Sequence, residues 1–332
     1  MDIHPSPLPA SVTVTVPARL HLGFLDPSGT LGRKFGSIGL AIDCFRTRIT
    51  IRAGSHMRVA GFDSDRAAHH LETMRGQLAL EGAYHLTVEE AVPAHVGLGS
   101  GTQIALAIAA GVRRLHDLPL DMGGDAIRLG RGARSGVGIG LFDRGGLVVD
   151  GGHRSAGTVA PIVSQIPFPP DWRVVVVLDP SRQGVYGPDE HAAFAALAPF
   201  PAADAAHLCG LLLMRMLPAL VERDCAGFGS AVKELQARLG DYFAPVQGGS
   251  RFSSPHVAAV LEALEPEGAL GIGQSSWGPT GFAFAPSAAA ADRLVQIARR
   301  HALGRGLDIR ACKGLNHGAD ITIGAGTETQ HE

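Results

Sequence analysis

Apolar and polar residues alternate with a period of two along several stretches in the first half of the chain. Successive side chains of a strand point to opposite faces, so this alternation predicts half-buried strands. The stretches that show it are SVTVTVPARLHLGF (11–24), TRITIRAG (47–54) and YHLTVEEAV (84–92). The spacing becomes helical at 102–117 and 124–134, and a glycine-bounded strand is expected at 145–152.

The second half begins with a short, fully apolar strand at 173–178, within WRVVVVLDP. After it come a long loop, helical stretches at 202–222, 226–240 and 255–265, a strand-loop-strand segment at 268–285, a helix at 287–302 and a strand at 307–311. This order is typical of an α+β fold. Prolines near 161–170 mark a boundary, which predicts domains at 11–165 and 166–325 with the ligand between them.

Composition narrows the choice of ligand. Lys and Arg total 29 residues against 31 for Asp and Glu, so the net charge gives no reason to expect binding to nucleic acid or to an anionic membrane. Hydrophobic residues make up 45% of the chain, yet no uncharged apolar run approaches the ~20 residues of a membrane span. Residues 1–10, MDIHPSPLPA, do not have the pattern of a secretory signal.

The four cysteines (Cys44, Cys209, Cys225 and Cys312) are far apart and form no CxxC pair. This spacing favours reduced, mostly buried thiols in a cytoplasmic protein, and neither a disulfide framework nor a zinc site is expected.

The stretch PAHVGLGSGTQIALA (93–107) carries the clearest chemical signal. Gly97, Gly99 and Gly101 allow a tight turn whose N–H groups converge, and the helix expected near Thr102 adds its dipole. A phosphate or diphosphate suits such a helix N-terminus. From the turn alone, an ordinary glycine-rich connection with Thr102 as the N-cap explains the pattern equally well.

Three motifs, in order, resemble those of the GHMP kinase superfamily. The stretch at 93–107 is similar to its second motif, PARLHLGFLD (17–26) to its first and GIGQSSWGPTGFAF (271–284) to its third. The resemblance implies an N-terminal ribosomal protein S5-like domain with a left-handed βαβ unit and a C-terminal ferredoxin-like domain. Where many members carry an SGVD sequence, residues 135–138 read SGVG. Gly138 therefore replaces a carboxylate that helps to activate a substrate hydroxyl.

These departures resemble one branch, the β-ribofuranosylaminobenzene 5′-phosphate synthases of tetrahydromethanopterin biosynthesis. The similar blocks are RGARSGVGIGLFDRGGLVVDGG (131–152), GLGSGTQ (97–103), GQSSWGPTGFAF (273–284) and NHGA (316–319). The resemblance implies a cytoplasmic homodimer that joins phosphoribosyl pyrophosphate (PRPP) to 4-aminobenzoate, or to 4-hydroxybenzoate, and releases CO₂ and pyrophosphate. The diphosphate would then lie on Gly97, Gly99, Ser100, Gly101 and Thr102, with Mg²⁺ as the expected ion.

Four basic residues are candidates for the catalytic site. Arg131 and Arg134 could bind phosphate or carboxylate bidentately, or could be solvated arginines at a helix end. Arg19 and His21 alternate with leucines on one strand, so they share a face that lines the cleft or faces solvent.

Asp150, at the end of an apolar strand, could bind Mg²⁺ together with Ser100, or could form an Asx turn with the glycines that follow it. In the third motif, Gln274 and Ser275 are candidate binding residues. Trp277 is a candidate face of an aromatic slot, although packing would also explain it.

Two other functions remain open from the sequence. A small-molecule kinase of the same superfamily would use ATP and an alcohol, and Gly138 and the altered third motif count against it. A non-catalytic sensor is the other alternative, and the number of polar clusters that are present counts against that.

Overall fold

The computed structural model describes residues 10–155 and 157–324. Residues 1–9, in which no secretory signal is expected, and residue 325, the end of the expected second domain, lie outside them. The strands are β1 (Ser11–Asp26), β2 (Phe35–Gly54), β3 (Arg58–Gly61), β4 (Ala83–Glu90), β5 (Leu147–Asp150), β6 (Ile162–Ile166), β7 (Arg173–Leu178), β8 (Leu270–Gln274), β9 (Thr280–Ala285), β10 (Asp308–Cys312) and β11 (Asp320–Gly324).

The helices are α1 (Ser64–Gln77), α2 (Ser100–Leu115), α3 (Met122–Arg128), α4 (Val137–Arg144), α5 (Gly187–Ala196), α6 (Ala202–Leu211), α7 (Leu217–Glu222), α8 (Cys225–Phe243), α9 (Pro255–Leu264) and α10 (Ala288–His301). A π-helical turn, Leu212–Met216, joins α6 to α7, and a 3₁₀ turn, Ala244–Val246, follows α8.

The N-terminal lobe is built on a sheet of order β11-β1-β2-β4-β3, with β5 paired to β2 and β6 paired to β5. Strands β1 and β2 form a long antiparallel pair, whereas β3 and β4 are parallel and α1 connects them. The alternation along β1 buries Val12, Val14 and Val16 on one face of the sheet. Helix α2 covers this face with Ile104, Ala107 and Ile108, which fixes the position of its N-terminus.

The C-terminal lobe has an antiparallel sheet of order β10-β7-β9-β8. Helices α5–α9 lie between β7 and β8 in the chain, and α10 lies between β9 and β10. The resulting strand–helix–strand–strand–helix–strand order and the 4-1-3-2 arrangement confirm the ferredoxin-like expectation and the α+β class. The last strand, β11, returns to the N-terminal sheet beside β1.

One apolar core joins the two lobes. It contains Leu20 and Leu40 of the first sheet together with Val176 and Phe282 of the second, and Phe228 of α8 packs in the same cluster. Such a continuous core holds the facing edges of the two sheets close together, which places the ends of β1 and β8 at the same cleft.

The segment Ala202–Glu222 is long and apolar enough to pass a length-and-hydropathy test for a membrane span. The most apolar window of this segment is 39% buried, and Leu208, Leu211, Met216 and Leu220 lie in the core. Core helices pass the same test, so the segment is weak evidence for a span.

Most of the expected helices and strands are present, but one expected helix is shorter, and α4, β3, β6 and β11 are among the elements that the patterns did not predict. The helix expected at 124–134 ends at Arg128, because Gly130 and Gly132 adopt positive φ values of 64° and 81°. Helix α1 was not expected, and α5 lies in a region where a loop was expected.

The expectation of reduced cysteines is wrong for one pair. Cys44 and Cys312 form a disulfide with their Cα atoms 5.3 Å apart, although 268 residues separate them in sequence. The amide of Asp43 donates to the carbonyl of Lys313 at 3.1 Å, which aligns the two cysteines across the lobes. Sequence spacing contains no information on such a tertiary neighbour. Cys209 and Cys225 are free thiols.

Candidate active site

The glycine-rich turn forms the N-terminus of α2, as expected. Gly97 and Gly99 have φ values of 86° and 81°, and Gly99 is the N-cap. A Cβ on Gly97 would collide with the carbonyl of Ser275, and a Cβ on Gly99 would lie 2.6 Å from Cγ of Arg19. The first amides of a helix have no intrahelical acceptor, so the turn presents donors toward the cleft. The first turn contains no acidic residue.

The third motif holds this turn in place. The hydroxyl of Thr280 donates to the carbonyl of Val96 at 2.6 Å, and the hydroxyl of Ser275 donates to that of Gly97 at 2.8 Å. Ser275, predicted to bind ligand, is fully buried. It also accepts a hydrogen bond from the amide of His21 at 2.9 Å, so its hydroxyl joins the three motifs.

Arginines surround the start of α2. The aliphatic part of Arg19 packs against Gly99, and guanidinium nitrogens of Arg131 and Arg66 lie 3.2 and 3.8 Å from where a Cβ on Gly101 would be. Arg131 bonds Nε2 of His70 at 3.1 Å, and Arg66 bonds Nε2 of His95 at 3.2 Å. We call Arg19, Arg66 and Arg131 the arginine cluster.

Within the arginine cluster, Arg66 forms an ion pair with Asp63 at 3.1 Å, whereas Arg19 and Arg131 form no ion pair with the described residues. Burial lowers the pKa of Arg19 to about 10, so this side chain is still charged at neutral pH. Burial and, next, the charge of Arg66 lower the pKa of Arg131. Among the described residues, no hydrogen-bond partner is present for Nη1 of Arg19 or Nε of Arg131, although both atoms are buried. Buried cationic donors of this kind are stabilised when an anion binds.

Sequence reasoning missed Arg66, His70 and His95. Helix α1 carries Arg66 and His70, and its buried residues Ala67, His70, Leu71 and Met74 follow helical spacing. This period was therefore available in the sequence and would have placed Arg66 on a helix. The proximity of α1 to the glycine-rich turn depends on the parallel pairing of β3 with β4.

A narrow cavity lies next to the turn, between the lobes. Phe24, Phe194, Phe243 and Trp277 supply aromatic walls, and His21 also lines the cavity. The ring of Trp277 lies 4.6 Å from that of Phe194 and 5.0 Å from that of Phe243. In the part of the chain that the structure describes, Nε2 of His21 and Nε1 of Trp277 are buried without a hydrogen-bond partner. Burial, followed by the charge of Arg19, lowers the pKa of His21 well below its usual range.

Arg134, a predicted site residue, contacts helix α5. It forms an ion pair with Glu190, and its guanidinium lies 5.5 Å from the centre of the Phe194 ring. Sequence reasoning missed both α5 residues, because it expected a loop in this region.

Asp150 anchors a turn. Its carboxylate accepts hydrogen bonds from the amides of Gly136 and Gly152, at 2.8 and 2.9 Å, and from the hydroxyl of Ser135 at 3.2 Å. Burial raises the pKa of Asp150. These donors occupy the oxygens that a Mg²⁺ ion would need, so the geometry favours the Asx-type alternative over the metal-ligand one.

Gln274 is also engaged with protein groups. Its carbonyl oxygen accepts from the amide of Ser253 at 2.6 Å, and its amide nitrogen donates to Gln247 at 2.8 Å. Within residues 10–155 and 157–324, the His, Cys, Asp and Glu side chains close enough to form a metal site are Asp43, Cys44 and Cys312. The two cysteines of this group are bonded to each other.

Gly138 lies where α4 packs against α2. A Cβ at this position would lie 2.8 Å from Cγ2 of Thr102. A larger side chain at position 138 would therefore require Thr102 or its helix to shift, which gives a packing reason for the glycine.

Comparison with known proteins gives the family. The GHMP kinases N terminal domain model matches residues 65–144, and the GHMP kinases C terminal model matches 216–302. A β-ribofuranosylphenol 5′-phosphate synthase of Archaeoglobus fulgidus is 32% identical over 92% of this chain and 98% of its own length. The chain belongs to the β-ribofuranosylphenol 5′-phosphate synthase family.

Other members of the family support the assignment. The synthase of Methanocaldococcus jannaschii is 31% identical over 82% of this chain and 88% of its own length.

Among solved structures, phosphomevalonate kinase of Streptococcus pneumoniae superposes with a TM-score of 0.67 at 14% identity, covering 93% of this chain and all of that one. This likeness shows the shared fold alone.

Family membership confirms the resemblance read from the three motifs. The protein is an enzyme of the synthase branch, and the kinase alternative gains no support from the curated relatives. This chain, with its altered third motif and Gly138, thus belongs to a family whose named activity is a synthase rather than a kinase.

Proposed function

We propose that this enzyme joins PRPP to a benzoate with a para hydroxyl or amino group and releases CO₂ and pyrophosphate, in tetrahydromethanopterin biosynthesis. The observation that carries the proposal is the arginine cluster at the start of α2 beside an aromatic cavity. The names of the relatives supply the reaction class. The arginine cluster suits the diphosphate of PRPP, and the neighbouring aromatic cavity suits the ring of the benzoate.

The diphosphate of PRPP would bind at the glycine-rich turn. The amides of Ser100 and Gly101 and the charges of Arg19, Arg66 and Arg131 stabilise the negative charge that develops on the leaving oxygens. The bond between the anomeric carbon and the diphosphate oxygen breaks, and its electron pair leaves with pyrophosphate. Removal of any one arginine should weaken diphosphate binding.

The benzoate ring then supplies the new bond. Its carbon bearing the carboxylate attacks the anomeric carbon, and the ring–carboxylate bond breaks, so that its electron pair restores aromaticity as CO₂ leaves. No net proton transfer is needed, which agrees with the absence of a carboxylate at Gly138. Positioning of the two substrates is the main demand on the protein.

The unpartnered atoms of the cavity favour a para hydroxyl over a para amino group. A neutral imidazole at His21 accepts a hydrogen bond, and the indole N–H of Trp277 donates one. A phenol oxygen both donates and accepts, whereas the nitrogen of an aniline is a poor acceptor. The phenol in the name of the Archaeoglobus fulgidus relative supports the same choice.

Mg²⁺ would enter the site bound to the diphosphate oxygens of PRPP. Ser100 offers a hydroxyl at the turn, whereas Asp150 is occupied by three donors. When bound, Mg²⁺ would neutralise charge on the diphosphate. A homodimer in the cytoplasm remains part of the proposal.

The direct test uses 4-hydroxybenzoate labelled with ¹⁴C in its carboxyl group, together with PRPP and Mg²⁺. We expect labelled CO₂ and pyrophosphate in equal amounts, and a loss of more than tenfold in kcat/KM for Arg131→Met. Arg144→Met, a change at an exposed arginine on α4, is the matched control. ATP hydrolysis driven by an alcohol, without CO₂ release, would instead establish a kinase.

A further inference from the structure

The aromatic cavity is too small for the ring that it is proposed to bind. Its volume is about 40 Å³, whereas a cavity that holds benzene measures about 150 Å³. A substrate ring can therefore enter only if one wall moves.

The aromatic side chains that line the cavity differ in how deeply their helices and strands are buried. Phe24 belongs to β1, and Phe243 and Trp277 are 7% exposed within the core that joins the lobes. Phe194 belongs to α5, in which none of the described side chains is fully buried. An element with so little buried apolar surface opens at the lowest cost in free energy, so α5 is the wall that can move.

The side chains that α5 places in the cleft resemble a benzoate in chemistry. Phe194 packs against Trp277 with the ring centres 4.6 Å apart and the two planes tilted by 35°. Glu190, four residues earlier and on the same helix face, forms the ion pair with Arg134. The guanidinium of Arg134 also lies over the Phe194 ring, so a ring and a carboxylate are held by Trp277 and one arginine.

We propose, building on the proposed function, that Phe194 and Glu190 fill the arylcarboxylate subsite of the empty enzyme. The ring of the substrate takes the place of Phe194 against Trp277, and its carboxylate takes the place of Glu190 at Arg134. Helix α5 moves outward in exchange. This assigns Trp277 and Arg134 to the benzoate and leaves the arginine cluster to the diphosphate.

If Phe194 and Glu190 block the subsite, removing either side chain should strengthen the binding of 4-hydroxybenzoate. A ligand that must displace part of the protein binds more weakly, by the fraction of molecules in which the subsite is open. Phe194→Ala should therefore bind 4-hydroxybenzoate more tightly, by about tenfold if the subsite is open in a tenth of wild-type molecules. A Phe194 that is instead a permanent wall of the slot would give weaker binding on truncation.

The test is calorimetric titration of 4-hydroxybenzoate into wild type, Phe194→Ala, Glu190→Gln and the control Phe62→Ala. Phe62 is 62% exposed and lies outside the cavity. We expect tighter binding in the first two variants and a change of less than twofold in the control. Glu190→Gln keeps the size of the side chain and removes its negative charge, so it gives an answer even if the alanine variant loses α5.

Weaker or unchanged binding in both variants would overturn the proposal, and CO₂ release by the wild type would show that the proposed function stands without it. If the wild type neither binds 4-hydroxybenzoate nor releases CO₂ from it, the proposed function fails and the subsite assignment fails with it.

Discussion

The hydroxyl of Ser275 donates to the carbonyl of Gly97 at 2.8 Å, across 178 residues of chain. The same oxygen accepts from the amide of His21 at 2.9 Å. One buried side chain thus fixes the strand that carries Arg19 and His21 relative to the turn that is proposed to bind diphosphate.

We expect Ser275→Ala to lower both stability and turnover. The change leaves a buried amide at His21 and a buried carbonyl at Gly97 without partners, at about 1–3 kcal/mol for each group. Urea unfolding measures the loss, and the exposed Ser230→Ala should stay within about 0.5 kcal/mol of the wild type. Equal behaviour of the two variants would show that Ser275 does not hold the turn.

Gly97→Ala should abolish diphosphate binding as well as destabilise the protein. A left-handed φ alone disfavours alanine by roughly 1–2 kcal/mol, and here the new methyl also meets the carbonyl of Ser275. Gly304→Ala is the matched control, because Gly304 has a φ of 73° and no atom within 4 Å of an added Cβ. Calorimetry with pyrophosphate should show at least a tenfold loss only at position 97; similar losses at both positions would contradict the crowded turn.

The contact between Gly138 and Thr102 predicts a coupled pair. Gly138→Ala should lower the free energy of unfolding by about 1–3 kcal/mol through overpacking. Thr102→Ser removes the methyl group that the new Cβ would meet, so the double variant should recover part of the loss. A double-mutant cycle measures this coupling, and purely additive effects would show that contact with the Thr102 methyl group does not cause the loss.

His70 should make stability fall as the pH drops below about 6.5. Burial, together with the charge of Arg131, lowers the pKa of His70 to about 3 in the folded protein. Between pH 3 and 6.5 the unfolded chain therefore binds a proton that the folded chain does not, and stability falls by about 1.4 kcal/mol per pH unit. In urea unfolding between pH 6.5 and 5, the free energy of unfolding of His70→Gln should fall less steeply with decreasing pH than that of the wild type. The difference between the two proteins at pH 7 is the baseline. An equal slope in both would show that another group takes up the proton.

The bond between Cys44 and Cys312 should stabilise the joined lobes. Cross-links that close long loops contribute roughly 2–5 kcal/mol, and this loop spans 268 residues. A thiol reductant should therefore lower the melting temperature of the wild type but not that of Cys312→Ala. Cys209→Ala, which leaves the bond intact, should still respond to the reductant. A wild type that melts identically with and without reductant would contradict the prediction.

Much of the fold could be predicted from periodicity. The apolar faces of β1 and α2 are local patterns, because burial on one face imposes a period of two or of 3.6 on the residues themselves. Strand β7 is equally local, as a short continuous apolar run. The glycines at 97 and 99 could be interpreted in the same way, since a positive φ is a local requirement that few other residues meet.

Helix α5 could not be predicted in this way. Its sequence, GPDEHAAFAA, has no strong apolar face, and its attachment depends on Glu190 and Phe194 meeting Arg134 and Trp277 from other parts of the chain. The disulfide has the same origin, because the cysteines become neighbours only when β2 and β10 meet.

The amino-acid sequence alone determined most of the strands and helices of the two lobes, the glycine-rich helix start and the family, because each depends on local periodicity or on motifs in a fixed order. Only the tertiary structure gathered Arg19, Arg66 and Arg131 around that helix start and placed Phe194 against Trp277. The physical reason is that repulsion between charges and packing between rings act through space, between residues whose separation along the chain has no bearing on the interaction.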